Sequence, residues 1–277
     1  MSALLFVLTA LFYLAGTAGY LAYIFRQRES SARLAAWLML LGLGLHTATL
    51  VCDWVLLGHV PAVSLRQSLS LFAWSVVAGY LLVQLKYNLR VLGSFVAPLA
   101  LMLMILAFSG PAGPPRAISA FRSVWLTVHV AFAFLGNGFF AVACMAGVMY
   151  LLQERQIKSK RFGWVYSRLP SLDILDGLNR TCLMIGFPLL TAGLLTGAIY
   201  GQFLSGVYWR WAPKEVWSLI TWAVYALLLH QRLTVGWQGR KAAWLAVLGF
   251  GAVVFTFLGA SFIFSDYHNF STFGQSP

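Results

Sequence analysis

The chain has 277 residues, of which 60% are hydrophobic and only 9% charged, with a mean hydropathy of +0.80 and a net charge of +12. An ordinary soluble domain is excluded, since such domains carry roughly 25% charged residues. A nucleic-acid-binding protein is excluded as well, because the basic residues are scattered over connecting segments and form no separate basic domain.

Eight apolar runs are long enough to span a bilayer, which takes about 20 residues. They lie near 2–25, 34–58, 67–86, 91–109, 123–152, 181–203, 214–232 and 242–264. The expected fold is an all-α polytopic membrane helical bundle, a single integral membrane domain over 1–277. Arg26, Arg28 and Arg33 follow the first run, and no small-residue cleavage site is present. That run therefore reads as a retained span rather than a signal peptide. With the N-terminus outside, the inner connections hold Arg26, Arg28, Arg33, Lys86, Arg90, Arg155, Lys158, Lys160, Arg161, Arg168, Arg180, Arg232, Arg240 and Lys241. Arg66, Arg116, Arg122, Arg210 and Lys214 stay outside, a split of 14 to 5 among the 19 basic residues. This positive-inside bias puts both termini outside, in a bacterial cytoplasmic membrane.

In the second run His46 lies mid-membrane, and Thr49 and Asp53 continue its face at i+3 and i+7. Ionisable groups at that depth are costly. The face is read either as a polar interhelical contact or as part of a ligand or proton path. His59 reads as a loop residue. The Pro/Gly-rich stretch 110–122 breaks the helical pattern before the fifth run. His129 sits six residues into that run, followed by a small-residue stripe of Ala133, Gly136, Phe140, Ala143 and Gly147. The longest inner connection, 153–180, is basic at first. Leu169, Leu172, Ile174, Leu175 and Leu178 within it fit either a short amphipathic surface helix or a charged connector. In the sixth run Gly193, Gly197 and Gly201 share one helical face. Such glycines permit close helix packing, or form a smooth wall for a flat ligand, or do both.

The turn at 204–217 concentrates Trp209, Trp211 and Trp217 beside Arg210 and Lys214, with Trp222 shortly after. Indoles offer flat faces and N–H donors, and the cations can pair with carboxylates. That combination suits a planar apolar ligand with acidic tails, such as a porphyrin. His230 follows Lys214 by 16 residues, roughly 24 Å along a helix at about 1.5 Å per residue. It reads as an interface residue or as an inner-leaflet ligand. His268 follows the last run. The predicted topology brings His129, His268 and the Trp turn to one side, where two neutral imidazoles form an axial pair for haem iron, or serve as interface residues or proton carriers. The three cysteines, Cys52, Cys144 and Cys182, form no C-x-x-C and lie in apolar runs. They read as apolar filler. No zinc-binding spacing, phosphate loop or nucleophile elbow occurs. Glu215 and Asp266 are acids with no evident partner.

These residues resemble the cytochrome c assembly family of membrane haem-handling proteins, the CcsA/ResC type. The family's Trp-rich turn, W-G-x-x-W-x-W-D-x-K-E, is matched by Ser205-Gly206-Val207-Tyr208-Trp209-Arg210-Trp211-Ala212-Pro213-Lys214-Glu215. Its outer histidine is matched in Trp125-Leu126-Thr127-Val128-His129, and its second outer histidine in Asp266-Tyr267-His268. A membrane histidine ending the span after the turn is matched at Leu229-His230. The resemblance covers essentially the whole chain and is densest over 123–155 and 205–270. It implies transport of non-covalent haem b across the membrane to an outer site. There His129 and His268 flank the iron and the Trp turn holds the porphyrin, ready for delivery to the C-x-x-C-H cysteines of an apocytochrome c. It implies His230 as ligand of a second, inner haem, and a CcsB-like membrane subunit as partner. His46 is a further candidate for that inner site. Two positions depart from the pattern: Ser205 stands for its first Trp and Ala212 for its Asp. They leave an alternative of the HemX type, linked to haem biosynthesis and to glutamyl-tRNA reductase as partner. A non-haem small-molecule membrane transporter is the third reading.

Overall fold

The computed structural model describes residues 2–110, 122–160 and 163–259. Its elements in chain order are α1 (Ser2–Arg26), α2 (Glu29–Leu57), α3 (Leu65–Tyr87), α4 (Arg90–Ser109), α5 (Val124–Lys158), the one-turn α6 (Trp164–Arg168), α7 (Leu172–Ser205), α8 (Pro213–Leu233) and α9 (Arg240–Val254). A π-helical turn, Phe255–Gly259, continues α9. The described residues contain helices and no strands. Seven of the helices, all but α6 and α8, are long and apolar enough to cross a membrane. This is a multi-pass membrane protein. In a bilayer only helices or closed barrels satisfy every backbone polar group. The run predicted near 214–232 exists as α8, but its sequence is less apolar because it opens on Lys214 and Glu215 and closes on His230 and Arg232.

Local signals set several helix ends. Ser64 and Gln67 form a reciprocal capping box at the start of α3. Gly58 closes α2 in the left-handed conformation, and Pro213 occupies the first turn of α8, where its missing N–H costs nothing. The connection expected over 153–180 is shorter than predicted. α5 runs on to Lys158 and α7 begins at Leu172. The amphipathic pattern at Leu172, Leu175 and Leu178 is thus the first turns of α7 itself. Leu175 and Leu178 are fully buried because they face the bundle interior.

α5 is the central helix. It packs along most of its length against α7 and also contacts α3, α9, α4 and α6. α1, α2, α3 and α4 form the other half, with α1 packed on both α2 and α4 and α3 on both α4 and α5. The interior reflects this layout: α3 and the middle of α5 are largely buried, whereas α1, α2 and α7 leave large apolar side chains such as Leu4, Trp37 and Leu195 exposed. Outward apolar chains are what lipid contact asks for. Close helix approach comes from small residues. A Cβ on Gly136 would lie 2.9 Å from the backbone N of Leu190 and 3.0 Å from the carbonyl of Gly186, so only glycine lets α5 and α7 touch there.

At one end of the bundle a polar clamp ties α7 to α8. The Arg232 guanidinium donates to Asn179 Oδ1 at 2.8 Å and to Asp176 Oδ2 at 2.6 Å. Asp176 Oδ1 accepts from the backbone N of Gly239 at 2.9 Å, and Asn179 Nδ2 donates to the Ala143 carbonyl at 2.9 Å. Four segments meet at this cluster, and its charges are paired, as a buried charge requires. The opposite end holds the Trp turn.

Candidate functional site

At the Trp-turn end a cavity of about 250 Å³ opens between α5, α7, α8 and the end of α9. His129, Asn137, Tyr200, Trp209, Arg210, Lys214 and Glu215 are among its polar lining residues, and Phe134, Leu190, Leu194 and Phe257 are among the apolar ones. The sequence-predicted residues His129, Trp209, Arg210 and Lys214 therefore meet in one place.

His129 is fixed by α7. Its Nδ1 lies 2.7 Å from the carbonyl oxygen of Gly193. A carbonyl only accepts, so Nδ1 carries the proton and Nε2 keeps its lone pair. Nε2 makes no hydrogen bond among the described residues. The glycine face of α7 both packs on α5 and borders the cavity. Gly193 packs on Ala133, and Gly193, Gly197 and Gly201 all line the cavity.

The turn is ordered by a residue that sequence reasoning left without a partner. Glu215 Oε2 accepts a hydrogen bond from the backbone N of Arg210 at 2.8 Å, and its other oxygen lies 3.9 Å from Arg210 Nε. Glu215 sits at the third position of α8, from which an acidic side chain reaches back over the helix start. Pro213 and Glu215 in that spacing were the available signal. An acceptor at 212 is therefore not what ties this turn down. Trp211 adopts φ +60°, a strained value for a bulky residue. It projects with 71% of its surface exposed, edge-on to Trp209 at 6.1 Å.

Trp209 Nε1 is buried, lines the cavity region and has no hydrogen-bond partner among the described residues. Asn137 Oδ1 is in the same position two turns below His129. Buried polar atoms without partners cost free energy unless a ligand or water completes them. Thr221 and Thr256, bonded to each other at 2.9 Å, also line the cavity. Thr256 and Phe257 reach it from the π-helical turn, a distortion that recurs at functional sites. Asn137, Thr221 and Thr256 carried no sequence signal, since single polar residues in apolar runs have no distinguishing spacing.

The other predicted residues lie elsewhere. Trp217 packs on Phe255 at 4.4 Å, while Trp222 donates to Thr191 Oγ1 at 3.0 Å and leans on Phe187. Neither is among the residues that line the cavity. His46 is fully buried between α1 and α3, with Tyr13 OH 3.1 Å from Nδ1 and Ser70 Oγ 2.8 Å from Nε2. This is a polar interhelical contact. His230 is exposed at the opposite end of α8, its Nδ1 3.4 Å from Thr234 Oγ1. His268 and Asp266 lie outside the described residues. Among the described residues no group of three or more His, Cys, Asp or Glu is arranged to hold a metal ion by itself.

Residues 62–268 match the family described as cytochrome c assembly protein. A protein named cytochrome c biogenesis protein CcsA from Guillardia theta is 31% identical over 243 residues, covering 81% of each chain. The CcsA of Prochlorococcus marinus (strain MIT 9301) is 32% identical over 274 residues, covering 90% of this chain and 88% of the relative. That of Chlamydomonas reinhardtii is 34% identical over 233 residues, and there the matched region spans 64% of the relative's length. Among solved structures, the cytochrome c haem lyase CcmF superposes with a TM-score of 0.66 at 21% identity, covering 93% of this chain and 46% of that one. That likeness concerns the fold. Family match and full-length relatives together show that the chain belongs to the cytochrome c assembly protein family.

Proposed function

We propose that this protein holds haem at the Trp-turn cavity and presents it to an apocytochrome c. Family membership supports the coarser statement, a role in c-type cytochrome maturation. The observation that carries the finer one is the convergence, in one cavity, of an imidazole nitrogen with a free lone pair, an unpartnered indole N–H and two basic side chains.

The residues present fit a tetrapyrrole cargo. His129 Nε2 is a ligand for iron and Trp209 N–H a donor for a carboxylate. Arg210 and Lys214 supply positive charge for acidic tails. Gly193, Gly197 and Gly201 give a flat wall without side chains. The enclosed volume of about 250 Å³ lies under the roughly 300–1,000 Å³ of typical ligand pockets. A cargo of haem size therefore leaves one edge outside, where an acceptor polypeptide can reach it. His268 is the proposed second axial ligand, on the strength of the family pattern. His230, exposed at the opposite end, is the proposed ligand of an entry site, completed by a CcsB-like membrane subunit. The cargo is non-covalent haem b, and the membrane is the bacterial cytoplasmic membrane with the cavity on its outer side.

Purification of the full chain in detergent from haem-replete cells tests this. The expected product is coloured, with the low-spin absorption of a bis-histidine b-type haem. Replacing His129 or His268 by glycine removes that signature, and added imidazole restores it. A colourless preparation that refuses added hemin overturns the proposal and leaves the transporter reading. A haem-loaded protein from a strain whose deletion mutant still matures every c-type cytochrome overturns delivery and favours the HemX-type role.

A further inference from the structure

The glycine row of α7 does more than permit packing. Gly193 offers its carbonyl oxygen to His129 Nδ1 at 2.7 Å. One turn further along, a Cβ on Gly197 would lie 2.7 Å from that same Nδ1 and 2.8 Å from Cε1 of the ring. Real Cβ atoms do not approach a ring so closely, so the imidazole occupies space that exists only because residue 197 has no side chain. The Gly193 carbonyl is shared: Thr196 Oγ1 also lies 3.0 Å from it, while donating to Ala192 O at 2.7 Å. One helical turn therefore supplies the acceptor, the space and a competing donor for a single histidine ring.

We propose that Gly197 and the Gly193 carbonyl form a seat that positions His129, holding it in the Nδ1-protonated tautomer with Nε2 turned to the cavity. The seat rests on the reading of His129 as a metalloporphyrin ligand for its purpose, and on the geometry alone for its existence. A ligand imidazole that donates its second N–H to a carbonyl is held in orientation and made more basic, and loss of such a partner costs about 10- to 100-fold in affinity. Gly193 and Gly197 are thus positioning residues, acting on the cargo through His129.

The test uses the full chain in detergent with ¹⁵N-labelled histidine, the His129 signals being assigned by their loss in His129→Gln. In the unsubstituted protein without haem, Nδ1 is expected to read as protonated and Nε2 as unprotonated. Gly197→Ala is expected to mix the tautomers and to weaken hemin binding by about 10- to 100-fold. Thr196→Val removes the competing hydroxyl without adding bulk. It should strengthen the Nδ1–H bond, read as a downfield shift of that proton. Gly186→Ala is the packing control: its Cβ would meet Phe140 at 2.8 Å, on the same helix pair but away from His129, and it should leave the tautomer unchanged. An Nε2-protonated His129 in the unsubstituted protein overturns the seat. So does a Gly186→Ala effect equal to that of Gly197→Ala. If the tautomer is as stated but hemin does not bind, the haem reading fails and the seat stands.

Discussion

At the scale of single residues, the site depends on a few side chains whose neighbours decide what they can do. Glu215 illustrates this. As a lone acid in an apolar chain it reads as an unassigned acid or base. In the structure it caps the Trp turn through Arg210 N and balances the Arg210 charge. A hydrogen bond to a charged acceptor contributes about 1.5–3 kcal/mol, so Glu215→Ala should loosen the turn and lower thermal stability in detergent by an amount in that range. Glu215→Gln keeps an acceptor and should lose less. The comparison of the two melting temperatures checks the claim. Trp209→Phe should keep an aromatic face, though a smaller one, and lose the unpartnered N–H. Hemin with free carboxylates should then bind several-fold more weakly, whereas its dimethyl ester, a weaker acceptor, should be nearly unaffected. Equal losses for both ligands would show that the indole N–H meets no carboxylate.

At the scale of elements, the α5–α7 pair builds the site and the α7–α8 clamp secures its far end. Gly136→Val places two methyl groups where α7 backbone already lies 2.9 Å from a Cβ. Overpacking of this kind costs about 1–3 kcal/mol. The expected result is a lower melting temperature, with His129 unchanged in the folded fraction. Arg232 is 1% exposed in its side chain and paired with Asp176, which is 18% exposed. Breaking one partner of a buried pair costs about 3–5 kcal/mol, with less expected here because Asp176 is partly open. Asp176→Ala should therefore destabilise the protein substantially while leaving His129 chemistry intact in the folded fraction. The helices themselves were legible from hydropathy, because long apolar runs have one structural solution in lipid. Their ends were less so: α7 starts at Leu172, nine residues before the apolar run at 181. Charged residues such as Asp176 join a helix once another chain segment pairs with them.

At the scale of the whole molecule, the bundle is a scaffold that gathers one end of α5, α7, α8 and α9 around a cavity and exposes apolar side chains outward. The basic residues, 14 of 19 on one predicted side, lead to the expectation that both termini lie outside. Reporter fusions active only after export should be active at both ends, and an inactive fusion at either end would reverse the assignment. Composition and run length alone determined that the chain is a helical membrane bundle, since an unsatisfied backbone in lipid leaves no other choice. The Trp turn and His129 were equally plain as residues with unusual chemistry for their setting. Only the tertiary structure decided which of them meet. His129, Trp209, Arg210 and Lys214 share a cavity, Trp217 and Trp222 pack on Phe255 and Thr191 instead, and His46 is engaged by Tyr13 and Ser70. The physical reason is that contacts between helices far apart in sequence depend on which faces pack. Those faces are chosen by glycines and buried polar pairs whose partners the chain does not reveal until it is folded.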